Sequence, residues 1–256
     1  MNLKSIISTI HPRQPLQNLQ WFDVMILTII LWGESIFLST QIWLNSLASG
    51  ETLHVSVDSF SSSDNWWAIG NELKFLTIAV IYLLIRRFDF SQLPIQFNWK
   101  AFFWVPVIFL GAGLLCDLVF DLYVTVSKST ESVTFLSYLP YYDWSLSTVV
   151  GQFSSLDTSL LLFSLVNGFY EELFFLGFLL SSDSRYRPWI VAFSTLVRIS
   201  FHTYQGLTSA LIIGIVFGLF YYYLYTKKMN NLLPFFLAHA LADIVGTSFF
   251  SLFIPQ

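Results

Sequence analysis

The chain has 256 residues, of which 55% are hydrophobic, 19% aromatic and only 11% charged, with a formal net charge of -4. A soluble domain carries about a quarter of its residues charged, so this composition excludes a water-soluble surface, and Lys and Arg that form no basic patch exclude a nucleic-acid partner. Cys116, the single cysteine, lies in an apolar run, which excludes a disulfide framework and a thiolate metal cluster.

The first twenty residues contain His11, Pro12, Arg13 and Pro15 in place of an apolar signal core, so residues 1–21 read as a retained N-terminal segment. Residues 22–256 read as a single all-α membrane domain. A helix that crosses the hydrocarbon needs about 20 mostly apolar residues, and about seven segments approach this: 22–45, 66–85, 101–125, 156–180, 188–203, 208–226 and 232–253. Pro188 and Pro234 sit at the predicted starts of the fifth and seventh, where a missing N–H costs little. With the N-terminus in the cytoplasm, the inner segments hold Lys4, Arg13, Arg86, Arg87, Lys100, Arg185, Arg187, Lys227 and Lys228, and the outer segments hold Lys128 alone. That asymmetry follows the positive-inside rule. The outer segments are 46–65 and 126–155, and the stretch 144–155 reads as an interfacial or re-entrant piece. Compact size and short loops point to a bacterial plasma membrane.

Ionisable residues inside spans are expensive and need partners, water or a neutral form. They concentrate in three spans: Glu171 and Glu172 in the fourth, Arg198 and His202 in the fifth, His239 and Asp243 in the seventh. At about 1.5 Å per residue from the basic end, all six lie roughly 12–22 Å deep. Pairs four residues apart share a helix face, which groups Asn167 with Glu171, Arg198 with His202 and His239 with Asp243. The expected result is a polar cavity between spans four, five and seven. Glu171 and Glu172, adjacent and so about 100° apart around the axis, are expected to do different jobs. Asp117 and Asp121 are candidates for a water path, and Glu72 and Lys74 read as interfacial. Gly214 and Gly218 read as a packing stripe.

These residues resemble the CPBP family, the CAAX-protease and bacteriocin-processing group of intramembrane proteins, over residues 160–250. The family's Glu-Glu motif stands at Glu171-Glu172, its Phe-xxx-His at Arg198-Ile-Ser-Phe-His202, and its His-xxx-Asn/Asp at His239-Ala-Leu-Ala-Asp243. Two positions depart from the pattern: Leu176 stands where the first motif has arginine, and Arg198 where the second commonly has an aromatic residue. Arg198 is expected to supply from the neighbouring helix the charge that Leu176 lacks.

The resemblance implies an intramembrane endopeptidase acting on a membrane-associated peptide or protein, with membrane lipid as its surroundings and no cofactor. It implies Glu171 as general base, His202 orienting the water, His239 donating to the oxyanion and Asp243 tuning the polar network. Glu172, Arg198 and Asn167 support them. Three rivals use the same layer. A zinc hydrolase would bind its metal through Glu171, His202 and His239; a non-catalytic scaffold or bacteriocin-immunity protein would bind a partner there; a transporter is disfavoured because no repeated halves or paired broken helices are visible.

Overall fold

The computed structural model describes residues 14–50, 61–127, 139–153 and 156–254. Lys4, His11, Arg13, His54 and Lys128 lie outside the described residues. Helix α1 is Trp21–Ser49, α2 Ser62–Ile85 and α3 Trp99–Ser127. A short helix, α4, spans Leu146–Gly151. α5 is Thr158–Glu172 and runs on through a π-helical turn, Leu173–Phe178, to Ser181. α6 is Arg187–His202; α7, Leu207–Leu211, joins α8, Gly218–Lys227, through a second π turn; and α9 is Leu233–Val245.

The architecture is all-α and polytopic, as the composition requires. Among the described residues, five stretches are long and apolar enough to cross a membrane: α1, α2, α3, Thr158–Ser181 and Leu207–Lys227. The fifth and seventh expected spans exist as shorter helices of 16 and 13 residues. α6 and α9 each begin with a proline in the first turn, as the sequence predicts. The seventh span was expected to reach 253, but α9 stops at Val245. Gly246 there adopts φ 98°, a conformation that glycine reaches without a Cβ clash. The chain then closes as a single 3-10 turn, Phe250–Phe253.

Asp117 accepts the N–H of Phe250 at 3.2 Å and so ties that turn to α3. Within 144–155, the described part forms α4, only six residues long and therefore about 9 Å, too short to span. Its neighbour Trp144 packs its ring on Phe253 at 4.6 Å. α4 thus leans on the C-terminal turn.

Four packings position the site: α9 against α5 and α3, α2 against α5, and α1 against α6. The α5–α9 contact is the tightest. A Cβ at Gly168 would come 2.5 Å from the Phe236 carbonyl oxygen and 3.3 Å from the His239 Cβ, so only glycine lets these backbones meet. The Gly214–Gly218 stripe receives Ile199 and the Arg198 side chain from α6, in agreement with its reading as packing. At the basic end, Arg86 proves to be buried in an ion pair with Asp23, its Nε 2.6 Å from Oδ1.

Candidate active site

α5, α6 and α9 bring their polar residues to one layer. Glu172 is its hub. Arg198 from α6 reaches Glu172 with both terminal nitrogens at 3.1 Å, and His239 from α9 donates through Nδ1 to Glu172 Oε1 at 2.8 Å. A carboxylate that takes both a forked guanidinium and an imidazole has little capacity left for an incoming group. Glu171 is less engaged: its Oε2 lies 3.4 Å from Arg198 and its Oε1 3.7 Å from His239 Nε2. Both glutamates are buried, as is Arg198. The adjacent carboxyls, expected about 100° apart, both face the same layer and differ in how fully they are engaged.

The π turn follows directly on the pair. Such insertions widen a helix locally and recur at functional sites. Here it carries Leu173–Phe178, all buried. Phe175 from this turn lies under the Arg198 guanidinium, 4.0 Å from ring centroid to Cζ, and fixes its plane. Leu176 and Arg198 line one small cavity of about 10 Å³ together with Ser194, Thr195 and Tyr222. The position that departs from the family pattern thus adjoins the residue expected to compensate for it. Arg198 Nε and the Tyr221 hydroxyl are buried without a hydrogen-bond partner among the described residues.

His239 completes the layer. Held at Nδ1 by Glu172, it presents Nε2 towards Glu171 Oε1 and Asp243 Oδ1, each 3.7 Å away and beyond hydrogen-bond length. Asp243 is itself fixed by Asn167, whose amide donates to it at 2.9 Å. The sequence paired Asn167 with Glu171 on one helix face; the structure pairs it across helices with Asp243.

His202 is also buried, and its Nδ1 donates to the Arg198 carbonyl at 2.7 Å. A carbonyl can only accept, so Nδ1 carries the proton and Nε2 is left with a free lone pair. His202 lies within electrostatic reach of His239 and Glu172.

The donor atoms close enough to share an ion are those of Glu171, Glu172 and His239, within 4.8 Å of one another. Of the expected zinc set, Glu171 and His239 are in this group and His202 is not; its Nδ1 is held on its own helix backbone. The converging set nevertheless fits an ion poorly, since Arg198 already places a cation on both Glu172 oxygens.

Glu72 is the residue that sequence reasoning set aside. The second span was expected to start at 66, which put Glu72 and Lys74 near an interface. α2 instead starts at Ser62, where Ser61 and Asp64 form a reciprocal capping box. Glu72 is therefore close to mid-helix, within electrostatic reach of Glu171, Asp243 and His239. The Ser-xx-Asp pattern at 61–64 was the available signal.

Fold and site together define a polytopic all-α membrane protein with a buried Glu–Glu–Arg–His centre assembled from three helices. Residues 154–245, which contain that whole centre, match the family model for type II CAAX prenyl endopeptidase Rce1-like proteins, so this part of the chain is similar to the CPBP/CAAX protease family. No curated protein and no solved structure matches the chain.

Proposed function

We propose that the protein is an intramembrane endopeptidase in which Glu171 activates water, with the N-terminus on the cytoplasmic side and residues 22–256 forming one membrane domain. The observation that carries this reading is the unequal engagement of two adjacent carboxyls. Glu172 is saturated by Arg198 and His239, whereas Glu171 makes only contacts of 3.4 Å and 3.7 Å. A general base must be free to take a proton from the water it activates.

In this mechanism a water bound by Glu171 gives its proton to that carboxylate as its oxygen bonds the scissile carbonyl carbon. His202 holds the same water through the Nε2 lone pair. The oxyanion is met by His239, which, protonated at both nitrogens, donates from Nε2 while Nδ1 stays anchored to Glu172. Collapse of the intermediate breaks the C–N bond, and the amine leaves with a proton from Nε2. Asp243, clamped by Asn167, keeps the ring in register. Preorganised donors of this kind contribute more where water is excluded.

Arg198 favours a metal-free centre, because it supplies to Glu172 the positive charge that zinc would otherwise bring. The first substrate to test is a prenylated peptide that ends in a CAAX sequence, the class named by the matching family. Purified wild type should cleave it, Glu171→Gln should not, and a chelator should leave the wild-type rate unchanged. Loss of activity with chelator and its return with zinc would replace the metal-free reading. If wild type and Glu171→Gln both leave peptides uncut yet both bind the same membrane partner, the protein is a scaffold or immunity protein.

A further inference from the structure

A second set of polar residues lies at mid-membrane depth, outside the centre described above. Asn71 on α2 donates to Glu34 on α1 at 2.9 Å, and Lys74 donates to Asn71 at 2.6 Å. Glu34 and Lys74 are exposed on the protein surface. Each stands near the middle of its helix: Glu34 in Trp21–Ser49 and Lys74 in Ser62–Ile85. Charged groups at that depth face a water-filled cavity or one another, because hydrocarbon does not solvate them.

The string continues inwards. Next to Asn71 is Glu72, whose Oε2 is buried and has no hydrogen-bond partner among the described residues. The Tyr170 hydroxyl, anchored on the Leu31 carbonyl at 2.5 Å, lies within electrostatic reach of Glu34, Glu72 and Glu171 together. α1, α2 and α5 thus converge on one tyrosine, with a carboxyl from each helix around it. Polar side chains thus run from the exposed Glu34–Asn71–Lys74 chain to Glu72, which lies within electrostatic reach of the under-engaged Glu171.

We infer that the polar seam between α1 and α2 is a hydrated vestibule, through which water reaches Glu171 by way of Glu34, Asn71 and Glu72. Its occupant is water. The Glu72 oxygen, unpartnered among the described residues, is the last acceptor along that file, and a buried water needs such polar partners. The vestibule depends on the peptidase reading only for its destination. Its existence follows from the polar string alone.

Cysteine labelling tests it. With Cys116→Ala, the chain has no other cysteine, and Asn71→Cys can be compared with Leu73→Cys, which lies at nearly the same depth on an exposed apolar flank. Membrane vesicles of both orientations are treated with a charged methanethiosulfonate. Asn71→Cys should label at least roughly tenfold faster than Leu73→Cys, since only a thiolate reacts and thiolates need water. Glu34→Cys on the facing helix is an independent reporter and should also label fast. Labelling should persist with Glu171→Ala, so a defect in chemistry and a defect in access are read separately. Rates at 71 and 34 no higher than at 73 would overturn the vestibule while leaving the peptidase reading intact.

Discussion

Among the described residues, two buried ionic networks are built to opposite plans. At the basic end, Asp23 receives Arg86 Nε at 2.6 Å, Arg86 Nη2 at 3.0 Å, the Tyr82 hydroxyl at 2.6 Å and the Gln20 N–H at 2.9 Å. One carboxylate and one guanidinium satisfy each other, and the Phe22 ring closes over the cation at 4.9 Å. At mid-depth, one guanidinium and one imidazole face Glu171, Glu172 and Asp243, with Glu72 nearby. There the contacts around Glu171 stretch to 3.4 Å and 3.7 Å and Arg198 Nε is left without a partner among the described residues. The first network is closed and holds α1 to α2. The second has more acids than bases and spare bonding capacity, as a centre that must accept substrate and move protons requires.

Substitution should separate the two plans, and the largest effect is expected at Glu171. Glu171→Gln should lower peptide cleavage by about 10²–10⁴-fold, the usual contribution of a general base, while thermal unfolding in detergent stays where it was. Asp23→Ala should do the reverse: it leaves a buried guanidinium uncompensated and should cost about 3–5 kcal/mol of stability, with the surviving folded fraction still cleaving. Equal loss of stability in both variants would erase the distinction between the networks.

Arg198→Leu is the next strongest case, since it removes the partner of Glu172 and should also cost roughly 3–5 kcal/mol. Adding Leu176→Arg in the same chain should recover a substantial part, because both positions line one cavity. No recovery on unfolding would show that the charge cannot be delivered from α5. Glu172→Gln should then lower the rate by about 10²-fold through a misplaced His239 ring, in line with the cost of small positional errors at a reacting centre. Its signature is an altered His239 Nδ1–H resonance, which a purely mechanical loss of packing would not single out. A smaller change of about tenfold is expected from Gly168→Ala, whose Cβ would push α9 and His239 away from α5. Kinetics of that variant at full folding would measure how finely the α5–α9 approach sets the site.

Much of this centre was legible in the sequence because charge inside an apolar span is so costly that its position is informative. Helical rise alone placed Glu171, Arg198, His239 and Asp243 in one layer, and the structure joins all four. What the rise could not provide was the direction of each side chain. Both glutamates serve one layer although they are adjacent on α5, Glu172 through Arg198 and His239 and Glu171 at longer range, and the His202 Nδ1 folds back on the Arg198 carbonyl. Partner choice across helices was equally hidden: Asn167 reaches Asp243, 76 positions away, instead of Glu171 on its own face. Boundaries failed where a local signal was overlooked. The Ser61–Asp64 capping box would have centred Glu72 in its span, and Gly246 would have ended α9 before the aromatic C-terminal turn.

The account rests on Glu171 as the carboxylate that activates water, and cells provide the most direct measurement. Membranes from cells that carry wild type or Glu171→Gln at equal abundance can be compared by mass spectrometry of new peptide termini. The account predicts at least one membrane-proximal terminus that is present with wild type and absent with the glutamine variant. The same set of termini in both, with both proteins folded and abundant, would contradict it.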